Sequence, residues 1–366
     1  MFCTTHLSFA PLIDFFALKN YERIEPPVLQ PAHIFTELSG EDLRRRLFIT
    51  QDREGSELCL RPEYTIPVAR EHLKKSILNS AKKSYAAYCY LGAVFRFRSD
   101  GSSEFLQAGT ESIGRTDKPV ADAEIIVHAL EGLSRLQCVP SVTVMGDMAL
   151  LNAVLHALKL SEAAKRRILS CLASGRALDS LEAPEIPSEE EHAGILAAIE
   201  GQDPHSVQAF VEDILSIAGI TRVGGRSAGE IAQRFLAKAS NRSSLSPEQK
   251  DVLQRYLAIS KEPDEAVEAI RLFAQETKLD ISQALSELET RIGFIAALYP
   301  DLSRFRFDAN FVRDLDYYTG FIFEIYHSLH LKPVAAGGRY DRLLQHLGAE
   351  EPIPAVGCAL WLDRLS

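Results

Sequence analysis

The sequence predicts an α/β protein built from three blocks. Residues 1–145 and 301–366 mix helical and strand-like patterns, whereas residues 146–300 are mainly helical in pattern. The strand-like segments alternate apolar and polar side chains, as at residues 85–98. The middle block repeats apolar side chains every three or four positions, as at Val207, Phe210, Val211, Ile214 and Leu215. We therefore expect a core made from the two ends of the chain and a helical insertion between them.

The first block begins with four short elements. Residues 6–20 have the pattern of an opening helix, and residues 22–29 are expected to be extended because Pro26 and Pro27 disfavour helical backbone. A short strand ends within residues 58–63. Residues 67–77 are predicted to form the next helix.

A β-hairpin is predicted after that helix. Residues 85–98 and 104–114 would form its two strands, and the pair Asp100-Gly101 is a turn signal between them. A tight turn at this pair would set Arg96 directly opposite Phe105.

One face of this hairpin is unusually polar. Because side chains alternate along a strand, Arg96 shares a face with Gln107 and Glu111, and Gly109 leaves space between the amide and the carboxylate. Arg98 lies on the same face, nearer the turn. Such a face could hold a zwitterion, or it could be a solvated sheet surface with scattered charges.

The third block contains two polar runs close together. A strand is predicted at residues 318–326. The first run, Leu315-Asp316-Tyr317-Tyr318-Thr319-Gly320, overlaps its beginning, and the second run, Ala336-Gly337-Gly338-Arg339-Tyr340-Asp341, follows it. Tyrosines and carboxylates beside Arg313 are too polar for a core strand and are typical of a pocket wall for a small polar ligand. The glycines of the second run would let backbone approach a ligand closely. We expect the block to end in a final helix.

The composition argues against several classes of protein. The 40 basic and 50 acidic side chains give a formal charge of −10, which disfavours an extended nucleic-acid-binding face. The six cysteines are scattered and form no C-x-x-C pair, which indicates reduced thiols in a cytoplasmic protein. The histidines lack metal-ligand spacing, and there is no phosphate-loop or dinucleotide fingerprint. No apolar run reaches the ~20 residues needed to span a membrane. We therefore expect no metal, no cofactor and no membrane association.

The order of the motifs resembles histidyl-tRNA synthetase, a class II aminoacyl-tRNA synthetase. Pro27 with its extended flank resembles motif 1, and Leu60-Arg61-Pro62-Glu63-Tyr64-Thr65 resembles the LRPEGT stretch of that family. The other matches are motif 2 with its following strand, the two histidine-specific signatures and motif 3, at residues 95–111, 312–320, 337–341 and 357–365. The resemblance implies a class II synthetase-like catalytic-core fold, with a mostly antiparallel sheet flanked by helices. It also implies a homodimer formed through the Pro27 region.

The resemblance further implies a pocket for free histidine. Glu63 matches the carboxylate that binds the ligand's ammonium group, and Gln107 matches the amide at the ammonium and carboxylate end. Glu111 and Tyr318 match the pair that hydrogen-bonds the imidazole, whose N–H groups suit a carboxylate acceptor. Arg313 matches the arginine near the α-carboxylate. The implied histidine-binding set is Glu63, Thr65, Gln107, Glu111, Arg313, Tyr317 and Tyr318.

The nucleotide side departs from the family pattern. Arg96 and Arg364 match the arginines of motifs 2 and 3 and form a remnant nucleotide site. Arg98 replaces the acidic residue expected to accept from the adenine amino group, Ser103 replaces an arginine, and Asp314 replaces a glycine. At about 1.5–3 kcal/mol for each lost polar contact, ATP binding should be weaker by several kcal/mol.

These departures resemble the regulatory subunit of ATP phosphoribosyltransferase, a relative of the synthetases. The resemblance implies a non-catalytic subunit that binds histidine, mediates feedback control of the first step of histidine biosynthesis and supports a short-form catalytic subunit in a hetero-oligomer. The sequence stops after motif 3, so no anticodon-binding domain and no tRNA binding are expected. One alternative is a truncated histidyl-tRNA synthetase-like enzyme, or a relative, that activates histidine with ATP. Another is a histidine-binding module with a different partner.

Overall fold

The computed structural model describes most of the chain. The described residues are 9–38, 41–78, 85–99, 101–176, 178, 245–313, 317–328 and 332–365. Within these ranges, no helix is both long and apolar enough to cross a membrane. Several features predicted above lie outside the described residues: residues 6–8 of the opening helix, Asp100 of the turn, residues 314–316 of the polar run, and the apolar stripe at residues 207–215.

The secondary structure alternates between strands and helices in the first and last parts of the chain. The strands are β1 (Glu22–Arg23), β2 (Leu29–Pro31), β3 (Ile49–Gln51), β4 (Glu57–Leu60), β5 (Ala86–Phe95), β6 (Glu104–Ile113), β7 (Val142–Asp147), β8 (Ser260–Lys261), β9 (Phe305–Asp308), β10 (Phe321–Tyr326), β11 (Ala335–Arg339) and β12 (Ala355–Trp361). The helices are α1 (Ala10–Leu18), α2 (Ala32–Leu38), α3 (Glu41–Arg44), α4 (Thr65–Leu78), α5 (Lys118–Arg135), α6 (Met148–Ala157), α7 (Glu162–Ala173), α8 (Pro247–Leu257), α9 (Pro263–Thr277), α10 (Ser282–Leu298) and α11 (Leu343–His346). A short 3₁₀ turn, Leu362–Arg364, follows β12.

Two sheets are formed by the described strands. The larger has nine strands in the order β1-β5-β6-β12-β11-β10-β7-β9-β8. Its neighbours are antiparallel except for β1 with β5 and β7 with β9, which are parallel. The smaller is an antiparallel sheet in the order β2-β4-β3. The large sheet is therefore mostly antiparallel, as the resemblance to class II synthetases implies.

Both faces of the large sheet are covered. Helix α5 packs on one face with α1 and α10 beside it, and alternate side chains of β10, such as Phe321 and Phe323, are buried in this layer. The opposite face packs against α4, α11 and the small sheet through Tyr88, Tyr90 and Tyr340. The strands β5, β6, β11 and β12 thus contribute side chains to both cores.

The hairpin of β5 and β6 forms, but with a different register from the predicted one. Val94, rather than Arg96, lies opposite Phe105. The Arg96 N–H donates to the Ser103 carbonyl at 2.9 Å, so the connection is longer than the tight turn that was predicted. A shift of two residues leaves each side chain on its predicted face, because side chains repeat every two positions. The predicted register was therefore wrong, while the predicted composition of the polar face is correct.

The last part of the chain is a strand rather than the predicted helix. Strand β12 pairs with β6 on one side and β11 on the other, which satisfies its backbone groups within the sheet. Its side chains are mostly buried on both faces, and a continuous apolar run of this kind does not distinguish strand from helix by periodicity. Among the described residues, the helical segment that follows β12 is the 3₁₀ turn Leu362–Arg364.

The chain divides into two compact units, Met1–Val154 with Arg255–Ser366, and Leu155–Gln254. Helices α9 and α10, which fall within the predicted insertion at residues 146–300, belong to the first unit. Helix α10 packs against α5 there. Because residues 179–244 lie outside the described part of the chain, the helical insertion remains a prediction.

Candidate functional site

A small cavity opens on the polar face of the large sheet. Its volume is about 180 Å³, which is below the roughly 300–1,000 Å³ of pockets for drug-sized ligands. It is lined by Leu43, Glu63, Thr65, Arg96, Gln107, Arg313, Tyr317, Tyr318, Ala336, Tyr340, Gly357, Cys358, Ala359 and Trp361. A larger cavity of about 520 Å³, between the end of α5 and the start of β9, contains none of the predicted site residues. The small cavity is therefore the candidate site.

The floor of the cavity is made of small residues on adjacent strands. Ala336, Ala359 and Gly109 lie side by side across β11, β12 and β6, and Gly357 lies directly opposite Glu111. A Cβ atom on Gly357 would lie 1.7 Å from the Glu111 carboxylate, and one on Gly109 would lie 2.1 Å from the Cys358 carbonyl oxygen. Glycine is required at both positions for steric reasons, because the neighbouring atoms occupy the space of a side chain.

Glu111 is completely buried at one end of this floor. Thr65 donates from its hydroxyl to the Glu111 carboxylate at 2.7 Å, and the hydroxyls of Tyr340 and Tyr90 also donate to it. Burial raises the pKa of Glu111 to about 8, and these hydrogen bonds oppose the rise. Glu111 does not line the cavity itself. It reaches the cavity through the hydroxyls of Thr65 and Tyr340, which do.

Glu63 caps the helix that forms one wall. It accepts from the backbone N–H groups of Thr65 at 2.6 Å and Ile66 at 2.9 Å, at the beginning of α4. Burial raises its pKa, while these two hydrogen bonds and the charge of Arg96 act in the opposite direction. Arg96 donates to the Pro62 carbonyl at 2.6 Å, and burial lowers its pKa to about 10. The wall therefore presents a desolvated carboxylate and a desolvated guanidinium close together.

The opposite wall contains aromatic side chains and a second arginine. The rings of Tyr317 and Tyr318 have centroids 4.9 Å apart, and the Arg313 guanidinium lies 5.7 Å from the Tyr318 ring. Arg313 is 3.0 Å from Glu324 of β10, which fixes the guanidinium at the cavity. Burial raises the pKa of Tyr318 to about 12, so its hydroxyl keeps its proton at neutral pH.

Three buried polar atoms of cavity-lining residues lack a hydrogen-bond partner among the described residues: Oε1 of Gln107, Nε1 of Trp361 and Nη1 of Arg313. Arg313 Nη1 still has an ion-pair partner in Glu324. Gln107 and Trp361 are directly opposite each other on β6 and β12. A buried polar atom without a hydrogen bond costs about 1–3 kcal/mol. The cavity thus has an acceptor and a donor that only a bound molecule or water can satisfy.

Two arginines on the nucleotide side of the site, Arg98 and Arg364, are engaged within the chain. Arg98 lies 2.6 Å from Asp363, and its guanidinium is 3.3 Å from the centroid of the Phe105 ring. Arg364 donates to the Pro333 carbonyl, and its guanidinium lies 4.4 Å from the Trp361 ring. Of the cations predicted from the sequence for this side, Arg96 lines the cavity and Arg364 does not.

A buried ion-pair cluster joins α5, α10 and β11 next to the cavity. Asp122 of α5 accepts from Arg291 of α10 and from Arg339 of β11, both at 2.8 Å. Arg291 also donates to Asp147 at 2.6 Å, and Arg339 to Asp341 at 2.8 Å. Arg339 and Asp341 flank the cavity residue Tyr340 in the sequence, so the cluster fixes the backbone on both sides of that tyrosine.

The structure brings together most of the residues predicted from the sequence. Seven of the nine line the cavity: Glu63, Thr65, Gln107, Arg313, Tyr317, Tyr318 and Arg96. Glu111 lies behind the lining, and Arg364 lies against Trp361. Sequence reasoning missed Tyr340 and Trp361 as lining residues. Tyr340 stands in the Gly337-Gly338-Arg339-Tyr340-Asp341 run and could have been found there, and Trp361 stands within the motif 3 match at residues 357–365.

Comparison with known proteins identifies the family. The family described as histidyl-tRNA synthetase matches residues 6–223 and 227–365. An ATP phosphoribosyltransferase regulatory subunit from Chelativorans sp. (strain BNC1) is 39% identical over 366 residues, covering 98% of this chain and 96% of that relative. Another, from Agrobacterium fabrum (strain C58), is 37% identical over 362 residues, covering 97% and 94%. The chain belongs to the ATP phosphoribosyltransferase regulatory subunit family. The predicted family and a regulatory role are thereby confirmed, and the names of these relatives indicate that the chain is not itself the catalytic enzyme.

Solved structures give the same fold. An ATP phosphoribosyltransferase regulatory subunit/histidyl-tRNA synthetase from Bacillus halodurans C has a TM-score of 0.69 at 23% identity, covering 97% of this chain and 76% of that one. Histidyl-tRNA synthetase from Nostoc sp. PCC 7120 has a TM-score of 0.64 at 19% identity, covering 97% and 69%. The predicted class II synthetase-like fold is confirmed for this regulatory-subunit family member.

Proposed function

We propose that this regulatory subunit binds free histidine in the small cavity and thereby controls an ATP phosphoribosyltransferase activity that resides in a short-form catalytic subunit. The observation that carries the proposal is the convergence of Glu63, Gln107, Arg313 and Tyr318 on one cavity of about 180 Å³. Together they offer two acceptors, a guanidinium and a phenol, which are the groups that a zwitterionic amino acid with a polar ring requires.

The ligand chemistry follows from the walls. A carboxylate has about four acceptor positions, so Glu63 can bind an ammonium group while it caps α4. Arg313 would hold the α-carboxylate through charge-assisted hydrogen bonds. Tyr318 and the hydroxyls that Glu111 orients would contact the imidazole nitrogens. The restricted volume and the small-residue floor favour a single amino acid over a nucleotide.

Control of a partner requires more than binding. Histidine must prefer one assembly state of the complex over another, because a ligand with equal affinity for both states shifts nothing. We infer a cytoplasmic hetero-oligomer that contains a homodimer of this chain, formed through the Pro27 region. The homodimer supports the activity of the catalytic subunit, and histidine binding to the homodimer lowers that activity. No tRNA enters this scheme.

Calorimetry tests the histidine site. Arg313→Met should weaken histidine binding by tenfold or more, because a charge-assisted hydrogen bond contributes about 1.5–3 kcal/mol. Arg306→Met is a matched control, since Arg306 is exposed on β9, contacts Ser260 and does not line the cavity. Absence of histidine binding by the unaltered chain at millimolar ligand would refute the proposed function.

A second experiment tests the control of the catalytic partner. A short-form catalytic subunit should co-purify with the chain and gain activity from it, and histidine should lower that activity. Arg313→Met should keep the co-purification and lose the response to histidine. A catalytic subunit that is equally active with and without the chain would contradict this part of the proposal.

Histidine activation with ATP is the second candidate. Its support is that Arg96 and Arg313 both line the cavity. The engagement of Arg98 with Asp363 opposes it, because a cation now occupies the position of the expected adenine-contacting acid. Histidine-dependent exchange of pyrophosphate into ATP distinguishes the two candidates, and we expect none.

A further inference from the structure

Trp361 has the properties of a ligand-binding residue, although the motif 3 resemblance at residues 357–365 assigned it no role. It is 7% exposed, it lines the cavity, and its indole Nε1 has no partner among the described residues. Its position is fixed: the backbone N–H donates to the Val334 carbonyl at 2.9 Å, and the Arg364 guanidinium covers the ring at 4.4 Å. An indole N–H can only donate, so whatever satisfies it must be an acceptor.

The position of Trp361 indicates which part of the ligand it would meet. It lies directly opposite Gln107, whose orphan Oε1 is an acceptor suited to an ammonium group. Gly357, opposite Glu111, lies four residues away along β12, which is roughly 13 Å at about 3.3 Å per residue. The Trp361 and Gln107 end of the cavity is therefore distinct from the end where the Glu111 hydroxyl cluster would meet a ring.

We propose that the Trp361 indole N–H binds the α-carboxylate of the ligand while Gln107 Oε1 accepts from its ammonium group. The proposal rests on the proposed histidine site and adds a donor to it. Trp361 and Gln107 would thus bind the α-carboxylate and the α-ammonium group of an amino acid at one end of the cavity. This end would therefore select for ligands that carry both groups. Arg364, predicted as a nucleotide ligand, instead holds the indole in place.

Two ligands test the assignment with one substitution. Trp361→Phe keeps an aromatic ring and removes the N–H. Histidine affinity should fall about tenfold, because a hydrogen bond to a charged group is lost. Affinity for histidinol, in which a CH₂OH group replaces the carboxylate, should change by less than twofold. Calorimetry measures both.

A spectroscopic measurement on the unaltered chain avoids dependence on the variant's folding. Because Trp361 is the single tryptophan, a ¹⁵N-labelled sample has one indole N–H resonance. Histidine should move this resonance downfield, as expected for a new charge-assisted hydrogen bond, and histidinol should move it much less.

The outcomes separate this inference from the proposed function. If the unaltered chain binds histidine but Trp361→Phe binds it equally well, the indole assignment is wrong and the histidine site stands. An equal loss of affinity for both ligands would mean that Trp361 only packs against them, which also refutes the assignment. Failure of the unaltered chain to bind histidine at all would refute both proposals.

Discussion

Replacing Glu111 by glutamine should change the pH dependence of stability. Burial raises the pKa of Glu111 from 4.5 to about 8, so the folded chain retains a proton that the unfolded chain releases in this pH range. The unfolding free energy of the unaltered chain should therefore fall as pH rises from about 4.5 to about 8. Glu111→Gln carries no such proton, and this contribution should be absent from its curve.

The magnitude follows from the size of the shift. One pKa unit corresponds to about 1.36 kcal/mol, so the Glu111 contribution changes by up to about 1.4 kcal/mol per pH unit within the window. At pH 7, about 2.5 units above the unfolded value, the carboxyl destabilises the fold by about 3 kcal/mol relative to low pH. The stability of Glu111→Gln relative to the unaltered chain should rise by this amount between pH 4.5 and pH 7.

Urea denaturation at half-unit pH intervals measures this difference. Glu104→Gln on the same strand is the control, because it makes the same exchange of a carboxyl for an amide at an exposed position. Any effect shared with Glu104→Gln is therefore not due to the burial of Glu111. Parallel stability curves for Glu111→Gln and the unaltered chain would refute the reasoning, since they would mean that Glu111 takes up no extra proton on folding.

Three further substitutions test other parts of the structure. Gly357→Ala should destabilise the fold by about 1–3 kcal/mol or more and abolish histidine binding, because the added Cβ would lie 1.7 Å from the Glu111 carboxylate. Gly293→Ala in α10 is the control. Its added Cβ has no atom within 4 Å, so thermal unfolding should show the fold stabilised by about 0.5–1 kcal/mol. Arg291→Met should cost about 3–5 kcal/mol in urea, since it leaves the buried Asp147 carboxylate without its cationic partner and Asp122 with Arg339 alone. Arg271→Met, on the surface with two acidic partners, should leave the midpoint unchanged. Arg98→Glu should leave histidine affinity within about twofold by calorimetry, because Arg98 does not line the cavity, and a clear loss would place it nearer the ligand than the structure does.

The order of motifs that resembles histidyl-tRNA synthetase predicted the fold and most of the candidate site, and local patterns predicted part of the sheet. Alternation in residues 85–98 and 104–114 identified two paired strands, and it assigned Gln107 and Glu111 to one face even though the register was off by two. The register itself depended on the length of the connection between Arg96 and Ser103, for which a two-residue turn signal is insufficient.

Other features of the site depend on contacts between residues that are far apart in the sequence, which local patterns do not predict. The predicted direct contact between Glu111 and the ligand ignored the hydroxyls of Thr65 and Tyr340, which meet the carboxylate from distant parts of the chain. Whether Arg98 is solvated or paired depends on Asp363, more than two hundred residues later in the sequence. The final helix predicted for the third block was not assigned to particular residues, and the run that ends at Trp361 forms a strand, because an apolar run buried on both faces has no distinctive period.

The position of β12 in the middle of the large sheet constrains how the chain acquires its fold. The β5–β6 hairpin can form early during synthesis, but its partner on one side is made long afterwards. Until β12 leaves the ribosome, β6 and β11 each expose an unpaired edge, and exposed edges promote association between chains. Chaperone binding or slow assembly of the nascent chain is the expected consequence of a late strand at the centre of the sheet that carries the cavity.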